Sequence, residues 1–294
     1  MHTLIFNALR TCLRLCLFVL AAPLVAHASL PKSSSVPGGV AIVPLGSTST
    51  IADKPQSWLG EQPVLVTSDH EQWYAVVGLP LSMTPGSHEL RIKVGDETKT
   101  QNFMVNPKEY PEQRIILKDK SKVELSAANL ARAEREITAI HELEHHWSNV
   151  QDTDLDFIVP ADGKLAGRFG LRRFFNGEPR APHAGLDVAV AQGTPVMASA
   201  HGKVLAVGDY FFNGKTVFVD HGNGLITMYC HLERINVQAG ETVGKGQLIG
   251  LSGKTGRATG PHLHWSVMLN GTMVDPALFI AAKHHPETAL NTLE

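Results

Sequence analysis

The side chains with the most chemistry in this chain are imidazoles set close to one another or to a carboxylate. Gly260-Pro-His-Leu-His-Trp265 carries His262 and His264 with one residue between them. On a strand, side chains alternate faces, so the two rings share a face with their backbones roughly 7 Å apart. One could bind a metal while the other handles a proton beside it. His183-Ala-Gly-Leu-Asp187 sets an imidazole and a carboxylate four residues apart, with Gly185 allowing the chain to bend between them. Asp187 precedes the apolar run Val188-Ala-Val190 and so stands at the mouth of a strand. In Tyr229-Cys230-His231, alternation places Tyr229 and His231 on one face and Cys230 on the opposite, buried one. Each cluster alone is weak, and an isolated His-x-His is more often an ordinary edge-strand pair. Together they supply the nitrogen and oxygen ligands that zinc takes in catalytic sites, where three protein ligands leave a position for water. A buried carboxylate without a partner is costly, which is a further reason to give Asp187 a cation.

A second pattern competes with these. His141-Glu-Leu-Glu-His145 matches the His-Glu-x-x-His pattern of zinc proteases, with Glu142 as the base. On a helix, residues four apart share a face and could chelate together. Three features weigh against it. The two intervening residues are normally uncharged, and Glu144 is charged. No glycine and third histidine follow at the extended spacing, and the surrounding helix is polar on most sides. A solvated helix face is the expectation. His201, His221 and the terminal His284-His285 pair form no motif.

The expected fold is mostly β. From Phe157 to about Phe279, Gly-rich short strands such as Lys215-Thr-Val-Phe-Val-Asp220, Leu225-Ile-Thr-Met-Tyr-Cys-His231 and Leu263-His-Trp-Ser-Val-Met-Leu269 describe a compact antiparallel β domain, placed at residues 155–282. Gly222-Asn223-Gly224 reads as a hairpin turn between two of them. Residues 36–107 show short strands broken by turns, as in a small β-sandwich, and hold no cluster of ligand or nucleophile types. Between the two, residues 120–150 read as a connecting helix, with Leu130, Ala133, Ile137 and Ile140 at helical spacing.

Composition narrows the class. The chain has 294 residues, 43% of them apolar, which leaves room for two folded cores. A formal charge of −2 gives no general case for nucleic acid as a partner. Arg10 and Arg14 precede the apolar run Leu15 to Val25, and Ala26-His27-Ala28 is a small-x-small cleavage site. That run is too short to span a bilayer, so residues 1–28 read as a cleaved signal peptide, with no transmembrane segment after cleavage. Cleavage removes Cys12 and Cys16 and leaves Cys230 as the one cysteine, so no intrachain disulfide is possible. Stability must then come from packing or from a metal.

Residues 157–279 resemble the lysostaphin-type zinc peptidases, the M23 family, which cut peptide bonds of the bacterial cell wall. The landmarks run in the family's order: Gly167-Arg-Phe-Gly170, His183-x-Gly-x-Asp187, Gly193-Thr-Pro-Val196, His221-Gly-Asn-Gly224, Tyr229-x-His-Leu232, Gly246-Gln-x-Ile-Gly250 and Thr255-Gly-Arg-x-Thr-Gly-Pro-His-Leu-His264. Residues 40–107 are more loosely similar to the region that precedes this peptidase in some Gram-negative members, mainly at Gly38-Gly-Val40 and Val76-Val-Gly-Leu-Pro-Leu81.

The resemblance implies that His183, Asp187 and His264 are the zinc ligands and that His231 and His262 flank the metal's water without binding the metal. His262 is then the candidate to move the water's proton. His231 would stabilise the oxyanion, whether protonated or donating from a neutral ring. The implied substrate is peptidoglycan, through its stem peptides, and the implied bond is the peptide cross-link, cut in the periplasm or outside the cell of a Gram-negative-like bacterium. The alternative is a non-catalytic peptidoglycan-binding regulator of other wall hydrolases. Arg168, Arg172 and Arg173 could meet stem-peptide carboxylates, although arginines before a turn are more often surface charge. The N-terminal sandwich could shield the site or dock the enzyme, and the residues identify no regulatory partner.

Overall fold

The computed structural model describes residues 30–116 and 125–280. The expected signal peptide, with Cys12 and Cys16, and the His284-His285 tail lie outside them.

The N-terminal strands are β1 (Val40–Ser47), β2 (Gln56–Leu59), β3 (Gln62–Asp69), β4 (Gln72–Gly78), β5 (Gly86–Val94) and β6 (Glu97–Val105), paired in the order β1-β4-β3-β2-β5-β6. Ala41, Val43, Val64, Val66, Ala75 and Val77 from the first half meet Leu90, Ile92 and Val105 from the second in one core, so the sheet closes on itself. The alternate residues Val40, Leu65 and Val76 face the other way and join the core of the C-terminal domain. Burial on both faces explains why β1, β3 and β4 carry nearly continuous apolar runs instead of alternation. Asn270 ties the two units together: its amide accepts from the Gly78 N–H at 2.6 Å and donates to the Gly78 carbonyl at 3.1 Å.

The connection contains β7 (Glu112–Ile115) and then α1 (Ala127–Glu144). Ser126 caps α1, its hydroxyl accepting from the Asn129 N–H. The helical spacing overstates this helix's buried face. Ala133 is buried, but Leu130 and Ile137 are 48% and 56% exposed. Ile140 and Leu143 make the contact with the C-terminal sheet. Among the described residues no helix is long and apolar enough to cross a membrane.

The C-terminal strands are β8 (Lys164–Gly167), β9 (Arg172–Phe175), β10 (Glu178–Pro179), β11 (Leu186–Ala189), β12 (Pro195–Met197), β13 (Gly202–Tyr210), β14 (Gly214–Gly222), β15 (Leu225–Ile235), β16 (Thr242–Val243), β17 (Leu248–Ser252), β18 (Leu263–Leu269) and β19 (Thr272–Val274). Most form one antiparallel sheet along the path β16-β13-β14-β15-β18-β11-β8. The expected hairpin joins β14 to β15, with Asn223 and Gly224 both at positive φ (52° and 76°), as a tight two-residue turn requires. Among the described strands one pairing is parallel: β7, from the connection, lies along β9.

The central strands have two different faces. Leu186, Val188, Leu225, Tyr229, Leu263, Trp265 and Val267 point into the main core. Ile226, Met228, Cys230 and Met268 point the other way, with Ile140 and Leu143 of α1 packed against them. Asp187, His262 and His264 share that second face, where the apolar cover gives way to polar side chains.

Candidate metal centre

Asp187 and His264 are direct cross-strand partners on β11 and β18, so the pleat places both side chains on one face. His183, four residues earlier, completes the group. Its Nε2 lies 3.0 Å from Asp187 Oδ1 and 3.0 Å from His264 Nδ1, and His264 Nδ1 lies 3.0 Å from the same Oδ1. Three potential ligand atoms therefore form a nearly equilateral triangle.

The outer nitrogens fix the tautomers. His183 Nδ1 is 2.7 Å from the Arg168 carbonyl, to which it can only donate, so Nε2 of the neutral ring is bare. His264 Nε2 is 2.9 Å from Ser266 Oγ; donation there leaves Nδ1 bare as well. Two lone pairs and a carboxylate oxygen then converge with no proton of their own among them. A cation resolves that repulsion. Tetrahedral zinc, with ligands at about 2.0–2.1 Å, holds them roughly 3.3 Å apart, close to the spacing seen. The donor set fits zinc.

Burial would by itself raise the Asp187 carboxyl, but the His183 and His264 rings set against it outweigh burial and hold it well below the usual carboxylate range. Burial likewise lowers the His264 imidazole, with Asp187 opposing. Two glycines make room for the ligands. A Cβ on Gly185 would stand 2.6 Å from His264 Cε1, Nε2 and Ser266 Oγ, and one on Gly167 would strike the Asp187 carboxylate. Neither glycine has positive φ. Gly185 is therefore needed for space at His264, not for the bend that its place between His183 and Asp187 suggested.

His231 reaches the site by a route that simple alternation misses. Tyr229 pairs with Trp265 inside the core, and its hydroxyl accepts from the Ser199 N–H at 2.8 Å; Cys230 pairs with His264 on the opposite face. Regular alternation would return His231 to the core beside Tyr229. Instead the register slips between Lys215 and Val217, His231 takes φ 62°, and its N–H bonds the Asn213 carbonyl. The bulge turns His231 onto the metal face, so Tyr229 and His231 do not share a face as expected. Its ring centroid lies 4.7 Å from that of His262 and 6.1 Å from that of His264. A non-glycine residue held at positive φ costs on the order of 1–3 kcal/mol, and such strain concentrates at functional sites.

The two outer histidines are oriented alike. His231 Nδ1 donates to the Thr255 carbonyl and His262 Nδ1 to the Gly260 carbonyl, both at 2.9 Å. Both Nε2 atoms are then bare in the neutral rings, and that of His262 lies 3.9 Å from Asp187 Oδ1. Burial, reinforced by His264 and His262, pushes the His231 imidazole down to about 3, so it is neutral at ordinary pH. The carbonyls that orient the rings carry no sequence signal. Ser266, by contrast, shares the strand face of His264 two residues on and was legible by the same alternation.

The helix pattern survives only in altered form. His141, Glu144 and His145 each bring a ligand atom within 4.8 Å of the others, in an exposed or half-exposed setting. Glu142, which the protease pattern needs as base, is exposed and not among them. His145 Nδ1 lies 2.8 Å from the His141 carbonyl, an ordinary helix-end contact.

The family model for peptidase family M23 matches residues 181–276, and that for the peptidase family M23 N-terminal domain matches residues 33–108. A crystal structure from Pseudomonas aeruginosa assigned to peptidase M23 is 40% identical, covers 85% of this chain and 96% of its own, and superposes with a TM-score of 0.71. This chain belongs to peptidase family M23. Among curated proteins, the peptidoglycan DD-endopeptidase ShyA of Vibrio cholerae is 36% identical over 158 residues, 52% of this chain and 37% of ShyA. The DD-carboxypeptidase/endopeptidase Mpg of Neisseria meningitidis is 45% identical over 94 residues, 32% of this chain and 22% of Mpg. The match therefore spans well under half the length of these curated relatives.

Proposed function

We propose that this chain is a zinc-dependent endopeptidase that hydrolyses peptide cross-links of bacterial peptidoglycan outside the cytoplasm. The observation that carries the reading is the triangle of His183 Nε2, Asp187 Oδ1 and His264 Nδ1, with two bare imidazole nitrogens beside it. The names of the ShyA and Mpg relatives support the choice of wall peptide as substrate. In this reading residues 155–282 are the catalytic domain, 36–107 the N-terminal β domain, 120–150 the link, and 1–28 a signal peptide that directs export.

His183, Asp187 and His264 hold the metal. Zinc bound there supplies a Lewis acid that polarises the scissile carbonyl and lowers the pKa of water towards about 7. His262 Nε2 accepts the proton of the attacking water and returns it to the leaving amine. His231 is neutral at ordinary pH, so it donates from Nε2 to the carbonyl oxygen only as the tautomer that gives up its Nδ1–H bond to Thr255. Removing a group that stabilises developing charge costs on the order of 10²–10³ in turnover.

The test is metal analysis together with mass spectrometry of a cross-linked muropeptide digest. Wild type should carry one zinc and release cleaved cross-links. His264→Ala should lose both metal and activity, and His231→Ala should keep zinc and lose most activity. A zinc-loaded wild type that leaves cross-links intact would favour the non-catalytic wall-binding regulator instead.

A further inference from the structure

A cavity of about 230 Å³ adjoins the candidate metal centre, and His231, His264, Arg173 and Arg257 all line it. The two guanidinium groups are held in place but lack a dedicated anion. Arg257 lies over the Phe212 ring at 4.2 Å and near the Phe175 ring at 5.6 Å, and among the described residues no carboxylate lies within 4 Å of it. Its backbone is anchored too, since the Arg257 N–H bonds the Phe212 carbonyl at 2.9 Å. Arg173 Nε donates to the Gln113 amide oxygen at 3.2 Å, and the carboxylate near its guanidinium is Asp187, at 3.8 Å. That carboxylate already serves the metal triangle. The neighbouring arginines differ: Arg172 is paired with Glu112 and Arg180 with Glu178.

With a divalent cation in the triangle, this wall of the site carries more positive charge than Asp187 can balance. A planar guanidinium held against aromatic rings is suited to a planar, bidentate anion. We infer that Arg173 and Arg257 form a carboxylate-binding subsite, so that the preferred substrate is a peptide with a free carboxylate close to the scissile bond. Stem peptides of the wall offer such groups, so the inference rests on the proposed function and adds the substrate feature that this site selects. It also separates the arginines named from the sequence: Arg173 belongs to the subsite, Arg172 does not, and Arg257 joins it.

The experiment compares a wall tetrapeptide bearing a free C-terminal carboxylate with its carboxamide, by calorimetric binding to the zinc-loaded full chain. Wild type should bind the carboxylate at least about tenfold more tightly, as expected for a charge-assisted pair. Arg257→Gln should reduce that preference to less than about twofold at unchanged zinc content, because Arg257 touches no ligand. Arg257→Lys, which keeps the charge without the planar fork, should retain an intermediate preference. Equal binding of the two peptides by wild type, or a full preference kept by Arg257→Gln, would overturn the subsite. Cross-link hydrolysis is read on the same samples. Preference without hydrolysis would sink the enzyme reading and leave the subsite standing; hydrolysis without preference would do the reverse.

Discussion

Replacing Gly185 with alanine should remove the metal while leaving the fold intact. The added Cβ would stand 2.6 Å from His264 Cε1, His264 Nε2 and Ser266 Oγ, where ordinary contact begins at 3.4 Å. The ring and the hydroxyl must together retreat by about 0.8 Å, whereas working metal sites hold their distances within roughly 0.2 Å. Ser266 offers no escape, because the same Cβ strikes it and it is the partner that orients the ring. Loss of an orienting partner alone costs about 10–100-fold in metal affinity, so the collision should cost at least ~100-fold. Gly185 has no positive φ, so backbone strain does not confuse the result. Gly244→Ala, where no atom lies within 4 Å of the new Cβ and φ is again not positive, is the control and should behave as wild type. Competition with a chromophoric chelator measures affinity, and circular dichroism checks the fold. Zinc at about 100 times its Kd should stabilise wild type by roughly 2.7 kcal/mol and Gly185→Ala by almost nothing. A folded Gly185→Ala protein with wild-type zinc affinity would refute the placement of His264 as a ligand.

Other outcomes follow from the same structure. Glu142→Gln should leave turnover within about twofold of wild type; an inactive variant would return the chemistry to the helix. Cys230 is fully buried, and burial pushes its thiol up to about 12. It should therefore resist alkylation in the native protein and react at once in urea; native labelling would show that this face opens. Burial raises the Tyr110 hydroxyl to about 12, with Asp275 adding to it, and it donates to the Pro37 carbonyl. The folded state thus holds that proton more tightly than the unfolded chain, whose tyrosine titrates near 10. Its contribution is fully present below pH 10 and lost between pH 10 and 12. Urea unfolding of Tyr110→Phe should fall less steeply over that interval than wild type, and equal slopes would exclude the effect.

The sequence by itself carried the strand frame and the donor types at His183, Asp187 and His264 that the structure brings together. Residue type and period-two spacing place His262 and His264 on one face, and Asp187 at the start of a strand, and those properties are local. The hairpin at Asn223-Gly224 was legible for the same reason: two residues at positive φ demand residues that tolerate it. The N-terminal core was legible only in part. Val40, Leu65 and Val76 read as strand residues, but their second buried face exists because another domain covers it. Tertiary structure decided the rest. His231 reaches the metal face through a bulge whose partners, Asn213 and Thr255, lie far off in the chain, and alternation alone would have buried it beside Tyr229. Arg257 becomes a neighbour of Arg173 only when the loop before β18 closes over β9. The space left by Gly185 is likewise invisible until His264 arrives across the sheet. Local geometry is written in consecutive residues; convergence on one point depends on long-range pairing, and a single strand's pattern does not contain it.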